Sequence, residues 1–515
     1  MIPETAPAGN DRQQSLLPYF QNLPENIPLA RPHLAQLAQA KTLLPQFVRE
    51  CRTATRYLAL LGPLDWEHFP QRDPHRAWPG PKPHPRAAYV GAFLIKVNQN
   101  LRYMSDLREY LVEHPALVWI LGFNLVPDAT CSCGFDVDAS LPTARHFERV
   151  LRELPNDALQ FLLTATVYLL QAELPAELNF GQKISLDTKA ILAWVKENNP
   201  KDYIKESDRL NKRRQPKGDP DCKLGCKRKA NRPPASARAE TTPANITPTK
   251  NPVAPTNFSS SDEYYWGYAS GVVAAKVPGW GEFVLAEMTQ TFDKGDATYF
   301  FPLMKATEER LGFKPPFGAL DSAYDTFYVH EYFDTAGGFA AVPFAERGKF
   351  FFEFDEQGLP LCKAGLPMPL KSTYISRTSE VEHQMGRYAC PLLFPFDTQD
   401  RPEPEVTGAS CPVAHKNWQR GGCVTTMATS KGARLRYQLD RESEDYKELY
   451  KQRTATERIN SQAKELGIER PKLRNQQAIT NQNTLLYVII NLRALQRLRK
   501  QKAELTPSTQ PALTG

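Results

Sequence analysis

The sequence predicts a mixed α/β protein with a helical N-terminal domain and a β-rich insertion before its last helices. Apolar residues recur at three- and four-residue spacing up to Leu178, which is typical of packed helices. Alternating runs that end in an acidic residue follow, and they predict strands. Short β-like runs such as KFFFEF and ARLRYQL then alternate with turns and cysteines, before a polar helix that begins at Glu442.

The order of the central elements predicts a mixed sheet. KISLD reads as a strand that ends at Asp187, and strand-like runs follow at 264–277 and 282–290. A helical segment at 297–311 precedes FGALD, which reads as a strand ending at Asp321. Strand, strand, strand, helix and strand describe a mixed α/β sheet.

Length and composition bound the class of protein. A chain of 515 residues is longer than a domain with one hydrophobic core normally is, so we expect two or three domains. No stretch reaches the roughly 18 to 20 apolar residues of a membrane span, and the N-terminus lacks the basic and apolar parts of a secretory signal. Nine cysteines, an odd number, indicate a reducing compartment. We therefore expect no membrane association and no export.

Basic residues are concentrated in two segments. Residues 201–232 contain twelve Lys/Arg and five Asp/Glu, and residues 470–502 contain eight Lys/Arg and no acid. Such segments suit a phosphate backbone, because each neutralised phosphate releases counterions. Two solvated surface segments are the alternative interpretation.

Three acidic residues are candidates for holding two metal ions. Phosphodiester chemistry uses cations that activate the attacking oxygen and stabilise the leaving one, and such cations prefer carboxylate oxygens. Asp187 and Asp321 stand at predicted strand ends, and Glu457 lies within the polar helix. At about 100° per residue, Glu457 shares an arc of roughly 60° with Tyr450, Arg453 and Lys464. This face suits a metal ligand beside phosphate-binding cations, although a solvated face with helical ion pairs is also common.

The spacing Y-x2-R-x3-E-x6-K from Tyr450 to Lys464 matches the signature of a large group of bacterial insertion-sequence DDE transposases. SLDTKAI at Ser185, LDSAYD at Leu320 and the segment from Tyr450 resemble the group's three acidic motifs in the same order. The resemblance covers most of the chain. One departure is Asp325, since many relatives have a basic residue or glycine soon after the second aspartate. Asp325 is therefore the alternative to Asp321 as a ligand.

The resemblance implies a ribonuclease H-like core in which Asp187, Asp321 and Glu457 hold Mg²⁺ or Mn²⁺. It also implies that Tyr450, Arg453 and Lys464 grip DNA. The expected activity is cleavage of double-stranded DNA at the ends of a mobile element, followed by joining to target DNA. Because two DNA ends must be processed, we expect a homodimer on DNA. We also expect the protein to be in the bacterial cytoplasm, associated with the nucleoid. A non-catalytic DNA-binding descendant and a hydrolytic nuclease of the same fold are the alternatives.

The predicted organisation combines these interpretations. We expect a disordered start at 1–30, a helical domain for DNA-end recognition at 31–178, the first part of the catalytic core at 179–347 with a basic, Pro-rich loop at about 205–260, a β-rich insertion at 348–440, the catalytic helix and a basic C-terminal helix at 441–502, and a tail at 503–515. The C-terminal helix is predicted to turn apolar residues to the core and arginines toward DNA, and an ordinary amphipathic surface helix is the alternative interpretation.

Cysteines in the insertion are candidate zinc ligands. Cys411 and His415 have the spacing of a zinc half-site, and Cys390 and Cys423 are the candidates for the other half. Such a Zn²⁺ ion would anchor a small β subdomain. Scattered buried cysteines are the alternative interpretation.

Overall fold

The computed structural model describes residues 44–72, 83–201, 203–227, 263–345, 353–377, 380–394, 410–414 and 421–505. The predicted disordered start at 1–30, most of the tail, residues 228–262 of the Pro-rich loop and the candidate ligand His415 lie outside these ranges. Within them the protein has mixed α/β structure, which confirms that part of the predicted fold class.

Helices make up the N-terminal region. Their apolar spacing places leucine and aromatic side chains in a common core, and the longest of them buries Leu159, Leu162, Leu163, Val167 and Leu170. The helices are α1 Gln46–Glu50, α2 Arg52–Leu61, α3 Arg86–Asn98, α4 Met104–Glu113, α5 Pro115–Leu121, α6 Val137–Ser140, α7 Ala144–Glu153 and α8 Asn156–Glu173.

A mixed sheet forms the centre of the molecule. Its strands are β1 Lys183–Leu192, β2 Lys223–Lys227, β3 Glu263–Val277, β4 Gly281–Thr291, β5 Phe317–Leu320 and β6 Phe339–Ala341. β3 pairs with β1, β2 and β4, in each case antiparallel, whereas β5 pairs parallel with both β1 and β6. β1 therefore joins the antiparallel and the parallel part of the sheet.

Three further helices lie between strands of this sheet along the chain. α9 Glu206–Arg209 precedes β2, α10 Phe300–Leu311 packs on β3 and β4, and α11 Phe327–Thr335 links β5 to β6. Gly318 makes the close approach of α11 feasible, because a Cβ atom there would lie 2.2 Å from the ring of Phe333. The predicted Pro-rich loop at about 205–260 is wrong in its first part, since Asp219 and Cys222 are buried and β2 pairs with β3.

The insertion contains an antiparallel sheet of β7 Leu370–Ser376, β8 His383–Ala389 and β9 Val424–Ala428. The β interpretation of ARLRYQL is wrong, because these residues belong to α12 Lys431–Gln438. Its Ala, Arg, Leu and Gln residues are strong helix formers. Gly432 also allows α12 to pack against α11, since a Cβ atom there would lie 2.1 Å from the carbonyl oxygen of Phe327.

The polar helix predicted from Glu442 is divided. α13 Glu444–Tyr450 is capped at its N-terminus by Ser443, whose hydroxyl accepts a hydrogen bond from the Tyr446 amide. A 3-10 turn at Lys451–Arg453 then leads into α14 Thr454–Glu465. The chain therefore changes from a 3-10 turn to an α-helix after Arg453, between Tyr450 and Glu457 of the predicted helix face.

The C-terminal helix α15 Gln476–Leu505 differs from the predicted amphipathic helix. Its first half is buried on several faces between the N-terminal helices and β4, and it contacts both regions through polar side chains such as Asn481 and Asn491. Arg499 and Lys502 bind Glu173, and Arg493 binds the carbonyl oxygen of Asn98. The predicted cationic face is thus largely engaged within the protein.

Among the helices of the described ranges, none has the length and apolarity that crossing a membrane requires.

Candidate active site

Asp187 and Asp321 occupy equivalent places on neighbouring parallel strands. Leu186 of β1 is paired with Leu320 of β5, so the next residue on each strand is one of the two acids. Neighbouring strands are about 4.8 Å apart, which brings the two backbones close together. β1 does not end at Asp187 as predicted but continues to Leu192, because its other edge stays paired with β3.

Burial governs the charge of Asp187. Loss of hydration raises the pKa of its carboxyl group to about 6, and the nearby charges of Asp321 and Asp296 act in the same direction. A backbone hydrogen bond from Thr188 and the positive charge of Arg453 act in the opposite direction. The site therefore concentrates negative charge that a cation can neutralise.

Asp321 and Asp325 have different surroundings. Asp321 caps the 3-10 turn at Ser322–Tyr324, where its Oδ1 accepts a hydrogen bond from the Ala323 amide at 2.7 Å. The Asp325 carboxylate is completely buried and accepts hydrogen bonds from Arg436 at 2.7 Å and the Ala345 amide at 2.8 Å. Burial alone would raise the pKa of Asp325, but these bonds and one with His330 lower it to about 2. Asp325 is thus a structural anion, and Asp321 is the better candidate ligand.

Helix α14 and the preceding 3-10 turn lie against β1. Asn460 donates a hydrogen bond from its amide nitrogen to Asp187 Oδ2 at 3.0 Å. Glu457 lies three residues earlier, on the same face of the helix. Its side chain is 58% exposed, and its Oε1 is 3.9 Å from Nε of Arg453.

Arg453 connects the helix to both aspartates. Burial alone would lower the pKa of its guanidinium, but a hydrogen bond to Tyr450 and the charges of Asp187 and Asp321 raise it. One terminal nitrogen donates to the Tyr450 hydroxyl at 2.9 Å. The Tyr450 ring in turn stacks on Tyr446, with the ring centroids 5.8 Å apart. Arg453 is therefore held beside the acidic pair.

The predicted stripe of four residues is only partly a continuous surface. Tyr450, Arg453 and Glu457 contact one another in sequence. Lys464 lies at the other end of α14, where its Nζ is 3.9 Å from Glu469. Lys464 therefore belongs to a separate basic region, beside the turn that follows the helix.

Three residues near the site were not singled out from the sequence. Asn460 binds Asp187, Asp296 accepts a hydrogen bond from the Thr188 hydroxyl at 2.7 Å, and Tyr324 is buried beside the acids. The Tyr324 hydroxyl has no hydrogen-bond partner among the described residues, and burial followed by the charges of the aspartates raises its pKa well above its ordinary value. The E-x2-N spacing of Glu457 and Asn460 on α14 is the sequence signal that could have pointed to Asn460.

The donor set fits a hard divalent cation in part. Asp187 and Asp321 supply carboxylate oxygens at adjacent positions, which Mg²⁺ prefers. Across the described ranges, however, no three His, Cys, Asp or Glu residues are arranged as a complete metal site. Glu457 is on the correct helix, but its exposed carboxylate is paired with Arg453 rather than with the aspartates.

Comparison with known proteins adds no family. The chain matches none of the protein-family models against which it was scanned, and no curated protein is significantly similar to it.

The cysteines of the insertion converge in part. Ala389 of β8 is paired with Val424 of β9, which places Cys390 and Cys423 at adjoining strand ends. Burial, followed by the neighbouring thiols of Cys390 and Cys362, raises the pKa of Cys423 to about 12. Cys362 was not among the candidate ligands, whereas His415 lies outside the described residues. The zinc site stays a prediction.

Proposed function

We propose that this protein is a transposase that cleaves DNA at the ends of a mobile element and joins those ends to target DNA by two-metal-ion phosphoryl transfer. The observation that carries the proposal is the pairing of Leu186 with Leu320, which sets Asp187 and Asp321 side by side beneath the helix that bears Glu457. The Y-x2-R-x3-E-x6-K spacing lies on that helix and the turn before it.

The sheet supports a ribonuclease H-like core. β3 lies between β4 and β1 and is antiparallel to both, and β5 and β6 continue the sheet parallel to β1. A helix links β4 to β5 and another links β5 to β6, as parallel crossovers require. This arrangement agrees with the core that the motif resemblance implies.

Each residue of the site has a proposed role. Asp187 and Asp321 would hold the divalent ions, with Glu457 as the third carboxylate after its side chain turns away from Arg453. Asn460 orients Asp187 through its 3.0 Å hydrogen bond. Arg453, freed from Glu457, binds a non-bridging phosphate oxygen and is kept in place by Tyr450.

When bound, Mg²⁺ or Mn²⁺ supplies the activation of the attacking oxygen and the stabilisation of the leaving oxygen. The protein positions the carboxylates that would hold these ions. β1 and β5 fix the backbones of the two aspartates by hydrogen bonding, and a site on regular elements is better defined than one on a loop. The same centre can serve water in the cleavage step and a 3′-hydroxyl group in the joining step.

The test is a cleavage and joining assay with the full-length protein, Mg²⁺ and linear DNA that carries the terminal sequences of its element. We expect nicks at the element ends and joined products with the wild type. Glu457→Gln should lose both activities. The matched control is Glu465→Gln, an exposed acid on the same helix, which should retain them.

The outcomes separate the alternatives. Equal cleavage by wild type and Glu457→Gln would contradict the role of Glu457. Cleavage without joining would favour the hydrolytic nuclease, and binding without cleavage would favour the non-catalytic DNA-binding descendant. Light scattering tests the expected homodimer, because it should report a change from monomer to dimer when DNA with the element ends is added.

A further inference from the structure

A basic cleft lies beyond the catalytic carboxylates, between the N-terminal helices and the turn that follows α14. Its volume is about 420 Å³. Five basic residues and one acid line it, together with apolar and amide side chains; the basic residues are Lys96, Arg102, Lys464, Arg470 and Lys472, and the acid is Glu469. The lining of this one cleft therefore carries four more positive than negative side chains.

Lys96 forms the floor of this basic cleft. It lies on α3 and is only 4% exposed, and its Nζ donates a hydrogen bond to Gln482 Oε1 at 3.3 Å. Burial lowers the pKa of its ammonium group to about 8, although the charge of Asp106 acts in the opposite direction. An ammonium group has three donors, and burying a charge without an anion is costly. A buried lysine that lines a cleft is therefore suited to an anion that enters from solvent.

Arg102 and Arg470 form the rim of the basic cleft. Both side chains are exposed, and within the part of the chain that the structure describes, neither guanidinium has an ion-pair or hydrogen-bond partner. Lys472, also at the rim, lies over the ring of Trp194, with its Nζ 5.1 Å from the ring centroid. The rim cations are therefore available to a ligand that lies across the opening.

The one acid of the basic cleft is already neutralised. Burial alone would raise the pKa of Glu469, but a hydrogen bond from Lys189 and the charges of Lys189 and Lys464 lower it. The Lys189 ammonium is 2.7 Å from Glu469 Oε1. Glu469 therefore does not oppose an incoming anion as a free carboxylate would.

The wall of the basic cleft is a fixed junction between two parts of the chain. Asn100 donates a hydrogen bond to the carbonyl oxygen of Glu465 at 3.0 Å, and Gly467 lies against Asn100. Gly467 has a φ of +86°, so it turns the chain sharply at the end of α14. The floor from α3 and the rim from the 466–474 segment are thus held in one arrangement.

We infer that the basic cleft binds the sugar-phosphate backbone of the DNA that enters the catalytic site. This inference rests on the proposed function and names the path of its substrate. Lys464 lies seven residues after Glu457, which is about 10 Å along the helix. At a rise of about 3.4 Å per nucleotide along one strand, that distance corresponds to about three nucleotides. The five cations of the basic cleft come from two separate segments of the chain, 96–102 and 464–472, so together they fit an extended polyanion better than a single small anion.

The test measures binding of an arbitrary-sequence DNA duplex, without divalent metal, as a function of salt concentration. Arg102→Ala combined with Arg470→Ala removes two exposed cations and should weaken binding roughly ten-fold at low salt. Each lost phosphate contact should also reduce the slope of log K against log salt by about 0.9. The matched control is Lys305→Gln, whose 79% exposed side chain lies on α10, outside the basic cleft. It should bind as the wild type does.

A second variant tests the floor. Lys96→Met keeps the length of the buried side chain but removes its charge, so the protein should melt no lower than the wild type while its DNA binding weakens. Wild-type binding and salt slope in both cleft variants would overturn the inference, as would an equal loss in Lys305→Gln or no DNA binding by the wild type. Cleft-dependent binding without Mg²⁺-dependent cleavage would instead overturn the catalytic assignment and leave the basic cleft as inferred.

Discussion

The carboxyl group of Glu287 is buried inside the protein, so its ionisation should change the free energy of unfolding with pH. The residue lies on β4 and is buried. Its Oε1 accepts hydrogen bonds from Gln160 at 2.7 Å and Thr484 at 2.5 Å, whereas its Oε2 has no hydrogen-bond partner among the described residues. Burial raises the pKa of Glu287 to about 7, although these two bonds and the charge of Arg310 act in the opposite direction.

The direction of the effect follows from proton linkage. In the unfolded chain Glu287 has its ordinary pKa of 4.5 and ionises before it does in the folded state. Between pH 4.5 and about 7 the folded state therefore binds more protons, and the free energy of unfolding falls as the pH rises through this range. Above pH 7, ionisation of Glu287 has lowered the free energy of unfolding by roughly 3 kcal/mol. This value follows from about 1.4 kcal/mol for each tenfold difference in proton affinity between the folded and unfolded states.

Glu287→Gln removes the titrating group and keeps its shape. The Gln carbonyl oxygen can accept the same two hydrogen bonds, so above pH 7 the variant should be more stable than the wild type by up to about 3 kcal/mol. The difference should vanish below pH 4.5, where the wild-type group is protonated in both states. Urea unfolding across this pH range measures both values.

The control is Glu282→Gln, on the same strand. Glu282 accepts a hydrogen bond from Arg458 at 2.5 Å, so its replacement should not raise stability. The opposite outcome for Glu287 would refute the reasoning. If Glu287→Gln were less stable than the wild type above pH 7, the ionised carboxylate would be a required partner of Arg310. The described hydrogen bonds of that guanidinium go to Thr164, Leu285 and Gln160 instead.

Three further outcomes are expected. Asp325→Asn removes the buried anion beside Arg436 and should lower the free energy of unfolding by about 3 kcal/mol. Asp321→Asn should instead melt near the wild-type temperature and lose Mg²⁺-dependent cleavage. The converse result would exchange the roles of the two aspartates. Asn460→Ala should lower the single-turnover cleavage rate several-fold without changing the DNA Kd, and a change in Kd alone would argue against positioning of Asp187. Elemental analysis should find one zinc ion per chain that disappears in the Cys390→Ser, Cys423→Ser double variant, and a metal-free wild type would favour the buried-cysteine interpretation.

The sequence predicted the acidic pair but not its full surroundings. The alternating patterns located β5 before Asp321 and the first part of β1 up to Asp187, because a half-buried strand is a local pattern, although β1 continues past Asp187 to Leu192. Asn460 and Asp296 could not be chosen in this way. Their contacts with Asp187 and Thr188 join residues more than a hundred positions apart, so they depend on the sheet pairing and helix packing of the whole core.

The helices show where local patterns mislead. ARLRYQL alternates like a strand, yet Gly432 lets the segment pack as a helix on α11. The C-terminal half of α15 alone predicts an amphipathic helix, whereas Asn481 and Asn491 are buried and hydrogen-bonded to the N-terminal helices or β4. A buried amide is stable only with its partners in place, and these partners are remote in the sequence.

Arg453 is the counter-ion of the acidic pair in this structure, and this role leads to a prediction about metal affinity. Its guanidinium is near the charges of Asp187 and Asp321 and 3.9 Å from Glu457. Without that positive charge, the carboxylates repel one another more strongly, so a divalent ion that relieves the repulsion should bind more tightly.

Arg453→Met should therefore melt lower than the wild type without metal, and Mg²⁺ should raise its melting temperature by more than it raises that of the wild type. The reason is that stabilisation by a ligand grows with the ratio of its concentration to its Kd. Lys464→Met is the matched control, because Lys464 is on the same helix but pairs with Glu469, and its Mg²⁺-induced shift should equal that of the wild type. A smaller shift in Arg453→Met than in the wild type would mean that Arg453 helps to assemble the metal site rather than standing in for the cation.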